Sequence, residues 1–200
     1  MALPHIPSPE KTLTDLSWLH PELYRAFEHG VYKGKTHFDG ESLDWDASAF
    51  STIVRLHAKS YLKTKNLDAV EIEQVNLSGL SLRVPKYQIK MWKSEGSDLP
   101  VPGASEPKQE FYQQPLFPNG TEQPNPLRLA VLWNIDWQKN LAAVWLVCPK
   151  YGDEKSAEAH WCVKIPDPVL ASVPVLADPT ALSDLPIKRK DEKATGTTDN

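Results

Sequence analysis

The sequence predicts an α+β fold in which N-terminal helices pack on a mainly antiparallel sheet of about six strands, with a proline-rich C-terminal tail. Three observations predict it. Of the 18 prolines in the 200 residues, none falls between positions 22 and 84, which leaves room for regular elements. Up to residue 65 apolar side chains recur at three- and four-residue spacing, the signature of a helix with one buried side. Between residues 70 and 165 they alternate with polar ones, and period two marks strands with one covered face.

Residues 1–9 carry Pro4, Pro7 and Pro9 and read as an extended arm. Residues 10–30 read as one or two short helices. Leu16, Leu19, Leu23 and Phe27 form a stripe, Pro21 suits a first helical turn, and Gly30 stands where a C-terminal cap would. Residues 31–43, bearing Gly and Asp, read as loop. A helix is expected over about 46–65, with Asp44 or Asp46 accepting its first backbone N–H groups. Its apolar face carries Phe50, Ile53, Val54, His57 and Tyr61; Arg55, Lys59 and Lys63 follow i, i+4, i+8 on the other side.

Three alternating segments come next, at 70–75, 80–84 and 87–93. The turns Ser78-Gly79 and Pro85-Lys86 join them into an antiparallel meander. Residues 94–104 are loop, Ser105 caps a short helix to about Gln114, and the prolines of 115–126 impose another loop. Further strands are expected at 127–136, 141–148 and 157–165, the second apolar on both faces and so interior. This frames one domain over 10–165 and a largely irregular tail over 166–200.

The longest apolar run, residues 141–148, is far short of the about 20 residues of a membrane span. The N-terminus lacks the basic and apolar regions of a secretory signal, and two cysteines make no disulfide framework, so a cytoplasmic location is expected. No P-loop, dinucleotide fingerprint, Gly-x-Ser-x-Gly, His-Glu-x-x-His or Cys-x-x-Cys occurs, so no cofactor is expected.

The net charge of −4 is unevenly spread. Residues 55–93 hold eight basic and three acidic residues, or +5, while the rest of the chain carries −9. A basic segment inside an acidic protein attracts an acidic protein partner, or alternatively nucleic acid, through residues 55–93. The expected binding residues are Arg55, Lys59, Lys63, Arg83, Lys90, Trp92 and Trp137, the tryptophans because they fall out of phase with the apolar pattern or in a turn.

The meander holds a second constellation. Glu71 and Glu73 share a strand face, and Gln88 and Lys90 follow on a neighbouring strand. Carboxylates beside a Gln-x-Lys pair suit a divalent metal, with the lysine steering phosphate and water. The order helix, three strands, helix, strand over about 46–134 resembles the core of the PD-(D/E)xK nucleases. That resemblance implies a magnesium-dependent nuclease using Glu71, Glu73, Gln88 and Lys90.

His57 reads as a satisfied core histidine. His160 and Cys162 stand at i, i+2, too few ligands for a metal site. Cys148 is expected opposite residue 157 or 158, leaving Cys162 too far along the strand for a disulfide. Trp133, Trp145 and Trp161 suit inward positions. The resulting expectation is a non-enzymatic interaction or regulatory protein that binds an acidic partner, with the nuclease and a nucleic-acid-binding subunit as alternatives.

Overall fold

The computed structural model describes residues 6–41, 46–74, 79–114, 126–135 and 143–168. Ser8 caps the first helix, α1 (Pro9–Asp15), by accepting the Lys11 backbone N–H at 3.2 Å, and Pro9 opens its first turn. The second helix, α2 (His20–Glu41), is 22 residues long. It is not short, residues 31–41 are not loop, and Gly30 is not a cap but a buried mid-helix residue.

Packing explains the difference. The third helix, α3 (Ala47–Thr64), is capped as expected by Asp46, whose carboxylate accepts from Ser48 and Ala49 at 2.7 and 2.8 Å. α3 runs back along α2, with Gly30 beside Val54 and Gly34 beside Phe50. A Cβ on Gly30 would strike the Val54 carbonyl oxygen, and one on Gly34 would lie 2.7 Å from the Phe50 ring. Close contact here outweighs the about 1 kcal/mol that glycine costs a helix relative to alanine.

Six strands follow: β1 (Glu71–Gln74), β2 (Leu80–Val84), β3 (Tyr87–Lys93), β4 (Leu127–Asn134), β5 (Ala143–Gly152) and β6 (Ala157–Lys164). They lie in chain order across one sheet. All neighbours are antiparallel except β3 and β4, which are parallel. A parallel pair needs a crossover, and the segment between β3 and β4 contains the short helix α4 (Glu106–Tyr112). Ser105 occupies the cap position of α4 without a side-chain cap bond.

The sheet is covered on both faces. On one, α1–α3 bury Leu23, Phe27, Phe50, Val54 and Leu62 against Leu82, Ile89, Leu129, Val131 and Trp133, with Phe27 stacked on Trp133 at 5.4 Å. On the other, α4 and the loop before it bury Leu99, Phe111 and Tyr112 against Ala130, Leu132 and Val147. The interior position expected for the 141–148 segment is met by β5, whose Leu146 and Val147 face opposite layers. Trp145 belongs to the α4 side, not to the layer of Trp133. Gln114 locks the exit of α4: its amide donates to the carbonyls of Arg128 and Pro149 at 2.7 and 3.0 Å and accepts from the Arg128 N–H at 3.0 Å.

β5 runs on to Gly152 before its turn, so Cys148 pairs with Trp161 and not with residue 157 or 158. Cys162 sits one pair away, opposite Val147, much closer in register than the sequence suggested. The two thiols still form no disulfide, because they face opposite layers. Burial pushes the Cys148 thiol up to about 12; burial and the Asp98 charge push that of Cys162 to about 11.

Candidate functional site

The residues singled out from the sequence fall into three places. The first is the solvent side of α3. Its buried arc is Phe50, Ser51, Val54, Ala58 and Leu62, which leaves Arg55, Lys59 and Lys63 on the outer flank with Leu56 exposed among them. Leu56 is 46% exposed. No carboxylate occurs between Ala47 and Thr64. Among the described residues no carboxylate lies within ion-pairing distance of Lys59 or Lys63. Arg55 is half-buried, donates to Thr52 Oγ1 at 3.3 Å, and has its pKa lowered by burial. Lys63 also rims a groove of about 210 Å³ lined by Leu62, Asn66, Leu67, Val70 and Ile72.

The second place is the α4-side face of the meander. Register puts Glu73 opposite Ser81 and Ser81 opposite Lys90; Glu71, Arg83 and Gln88 form the next row. Glu73 accepts from Ser81 Oγ at 2.5 Å, Gln88 Nε2 at 2.9 Å and the Arg83 guanidinium at 3.1 and 3.2 Å. Burial alone would raise its pKa. The bonds from Ser81, Gln88 and Arg83, with the Arg83 charge, outweigh that and hold it below the usual carboxylate value. Both Glu73 oxygens are thus occupied by protein donors, while Glu71 is exposed.

Lys90 places its ammonium 4.4 Å from the Phe111 ring centre. Burial lowers its pKa most, with Glu73 and Glu110 opposing and Arg128 adding to the fall. Trp92 is packed under α4, edge-on to Phe111 and Tyr112 at 5.4 and 5.5 Å. Trp137 lies outside the described residues. Among the described residues no three His, Cys, Asp or Glu side chains gather as a metal site.

These two places lie on opposite faces of the sheet. α3 covers the face carrying Leu80 and Leu82, while Arg83 and Lys90 project from the other. The basic segment 55–93 is therefore divided by the sheet and does not form one continuous helix-and-meander surface.

The third place is the α2–α3 seam. His57 is not a satisfied core histidine: it is half-buried, with its ring 6.1 Å from that of His29. Burial lowers its pKa, and the neighbouring His29, Lys33 and His37 lower it further. This cluster was missed at the sequence level, although the i, i+4, i+8 spacing of His29, Lys33 and His37 was its signal; Gly30, Gly34 and Gly40 disguised the helix. His160 on β6 is half-buried, its pKa lowered by burial and by Lys150.

Comparison with protein-family models, with characterised proteins and with solved structures finds no match to this chain. Among the described residues no helix is long and apolar enough to cross a membrane.

Proposed function

We propose that the chain is a non-enzymatic interaction or regulatory protein that binds an acidic protein partner on the outer flank of α3. One observation supports this most: Arg55, Lys59 and Lys63 follow each other along a helix with no carboxylate, around the exposed Leu56. An apolar anchor ringed by cations fits a segment that presents a hydrophobic side chain between Asp or Glu residues. The groove beside Lys63 extends the surface toward β1. A cytoplasmic location belongs to the same reading; two unbridged cysteines on opposite sheet faces are compatible with it.

Titration of a labelled peptide with leucine flanked by glutamates tests the proposal. Binding is expected to weaken with added salt and to fall at least tenfold in Lys59→Glu/Lys63→Glu. Equal affinity in wild type and variant would defeat it. A duplex or single-stranded oligonucleotide of the same charge is the control; preference for it would favour the nucleic-acid-binding alternative.

A second reading has its own observation. The parallel β3–β4 pair joined through α4, with Gln88 bonded to Glu73, is compatible with the nuclease resemblance. That reading requires Glu73 to give up Ser81, Gln88 or Arg83 before it could hold magnesium. Magnesium-dependent plasmid cleavage abolished by Lys90→Ala would establish it; no cleavage above a Lys90→Ala control would end it.

A further inference from the structure

We propose that the seam between α2 and α3 is a proton-gated site for a condensed phosphate chain, held by His29, Lys33, His37 and His57. His29, Lys33 and His37 rise along one flank of α2 over eight residues, about 12 Å at helical rise. His57 approaches from α3, its ring centre 6.1 Å from that of His29, where the glycine contacts bring the two helices close together. Protonation would place up to four positive charges on this row.

Among the described residues the other titratable groups near the row are Glu22, Glu28, Tyr32, Lys35 and Asp39 of α2, Tyr61 of α3 and Asp46 at its cap. Glu28 stands near Asp167 and Arg25, and Asp39 follows His37 by two positions. On α2, Glu22 stands two turns before His29 and is already engaged by Arg25 at 2.8 Å, by the Tyr61 hydroxyl at 3.3 Å and by Lys65 at 4.0 Å. On α3, Tyr61 packs on His29 with ring centres 5.6 Å apart. The Asp46 carboxylate at the other end accepts from the first turn of α3. Glu22 and Asp46 thus stand outside the span from His29 to His37.

Imidazolium and ammonium groups spaced along one line suit an extended anion with charge at each unit. A single carboxylate would meet one donor at a time, whereas a phosphate chain runs along the row. The gate follows from the surroundings. At His57 burial first, and then the neighbouring His29, Lys33 and His37, disfavour the charged ring; a polyanion laid along the row offsets the repulsive part and so favours protonation of His57. Uptake of the chain is therefore coupled to uptake of protons.

Arg55 and Lys59 stand two positions either side of His57 and so on roughly the far side of α3, which makes this site separable from the acidic-partner surface. Thermal unfolding of the full chain with tripolyphosphate at pH 5.5 and 8.0, against sodium chloride of equal ionic strength, tests the proposal. The expected result is a rise in Tm at pH 5.5 that vanishes at pH 8.0 and in His29→Gln/His37→Gln/His57→Gln, but persists in Lys59→Glu/Lys63→Glu. No rise beyond the chloride control, an equal rise in the triple variant, loss in the lysine variant, or an equal rise with polyglutamate would overturn it. If the triple variant does not fold, imidazole proton NMR of the wild type decides. Tripolyphosphate should raise the titration midpoints of His29, His37 and His57 and leave His160 unmoved; unmoved midpoints in all four would overturn the proposal equally.

Discussion

Glu73 accepts from Ser81, Gln88 and Arg83; truncating it strands the buried Ser81 hydroxyl and the half-buried Gln88 amide, while the exposed Arg83 guanidinium returns to water. Glu73→Ala should cost about 1–3 kcal/mol by urea denaturation, the usual penalty for leaving polar partners unsatisfied. Because its folded pKa is depressed, its stabilisation is full above the ordinary carboxylate value of 4.5 and is lost as pH falls through the folded value. The histidines act at higher pH. Burial lowers the pKa of His20, and burial with other charges lowers those of His57 and His160. Their unfolded forms therefore take up protons first. Stability should be full above the ordinary histidine value of 6.5 and should decline as pH falls below it. Urea midpoints at pH 7.5 and 5.5 check this; a midpoint at 5.5 equal to or above that at 7.5 would contradict it.

The α2–α3 pair rests on two glycines used as contact surfaces. At an open helix position glycine to alanine stabilises by about 1 kcal/mol. Gly30→Ala should do the reverse and destabilise by about 1–3 kcal/mol, because its methyl meets the Val54 backbone oxygen, which cannot turn away as a side chain can. Chemical denaturation reads the sign directly. The same residues explain which elements were legible in the sequence. α3 and the meander were readable to within a residue or so, since their caps, turns and apolar periods agree. α2 was cut short because glycine spacing resembles a stop signal until the partner helix is known. The β5–β6 register was misplaced because strand continuation past Pro149 depends on where the turn at Asp153 closes, which apolar alternation does not encode.

Across the whole molecule the sheet separates basic residues that the sequence runs together. Charge counting located a basic segment correctly, but topology assigns Arg55, Lys59 and Lys63 to the helical layer and Arg83 and Lys90 to the α4 layer. Out-of-phase Trp92 was legible as unusual, yet only the crossover helix supplies the Phe111 and Tyr112 rings that enclose it. Gln114 ties that crossover to β4 and β5, so Gln114→Ala should lower stability by about 1–3 kcal/mol by leaving the Arg128 and Pro149 backbone groups unpaired. With Arg83 paired to Glu73 and Lys90 over the Phe111 ring, the proposed docking of an acidic partner rests on the flank of α3. A charge-swap titration tests that most directly: wild type and Lys59→Glu/Lys63→Glu, each against a leucine peptide flanked by glutamates and the same peptide flanked by lysines. Wild type should bind the glutamate peptide and the variant the lysine peptide, with preferences reversed by at least tenfold. Unchanged preference in the variant would contradict docking on α3.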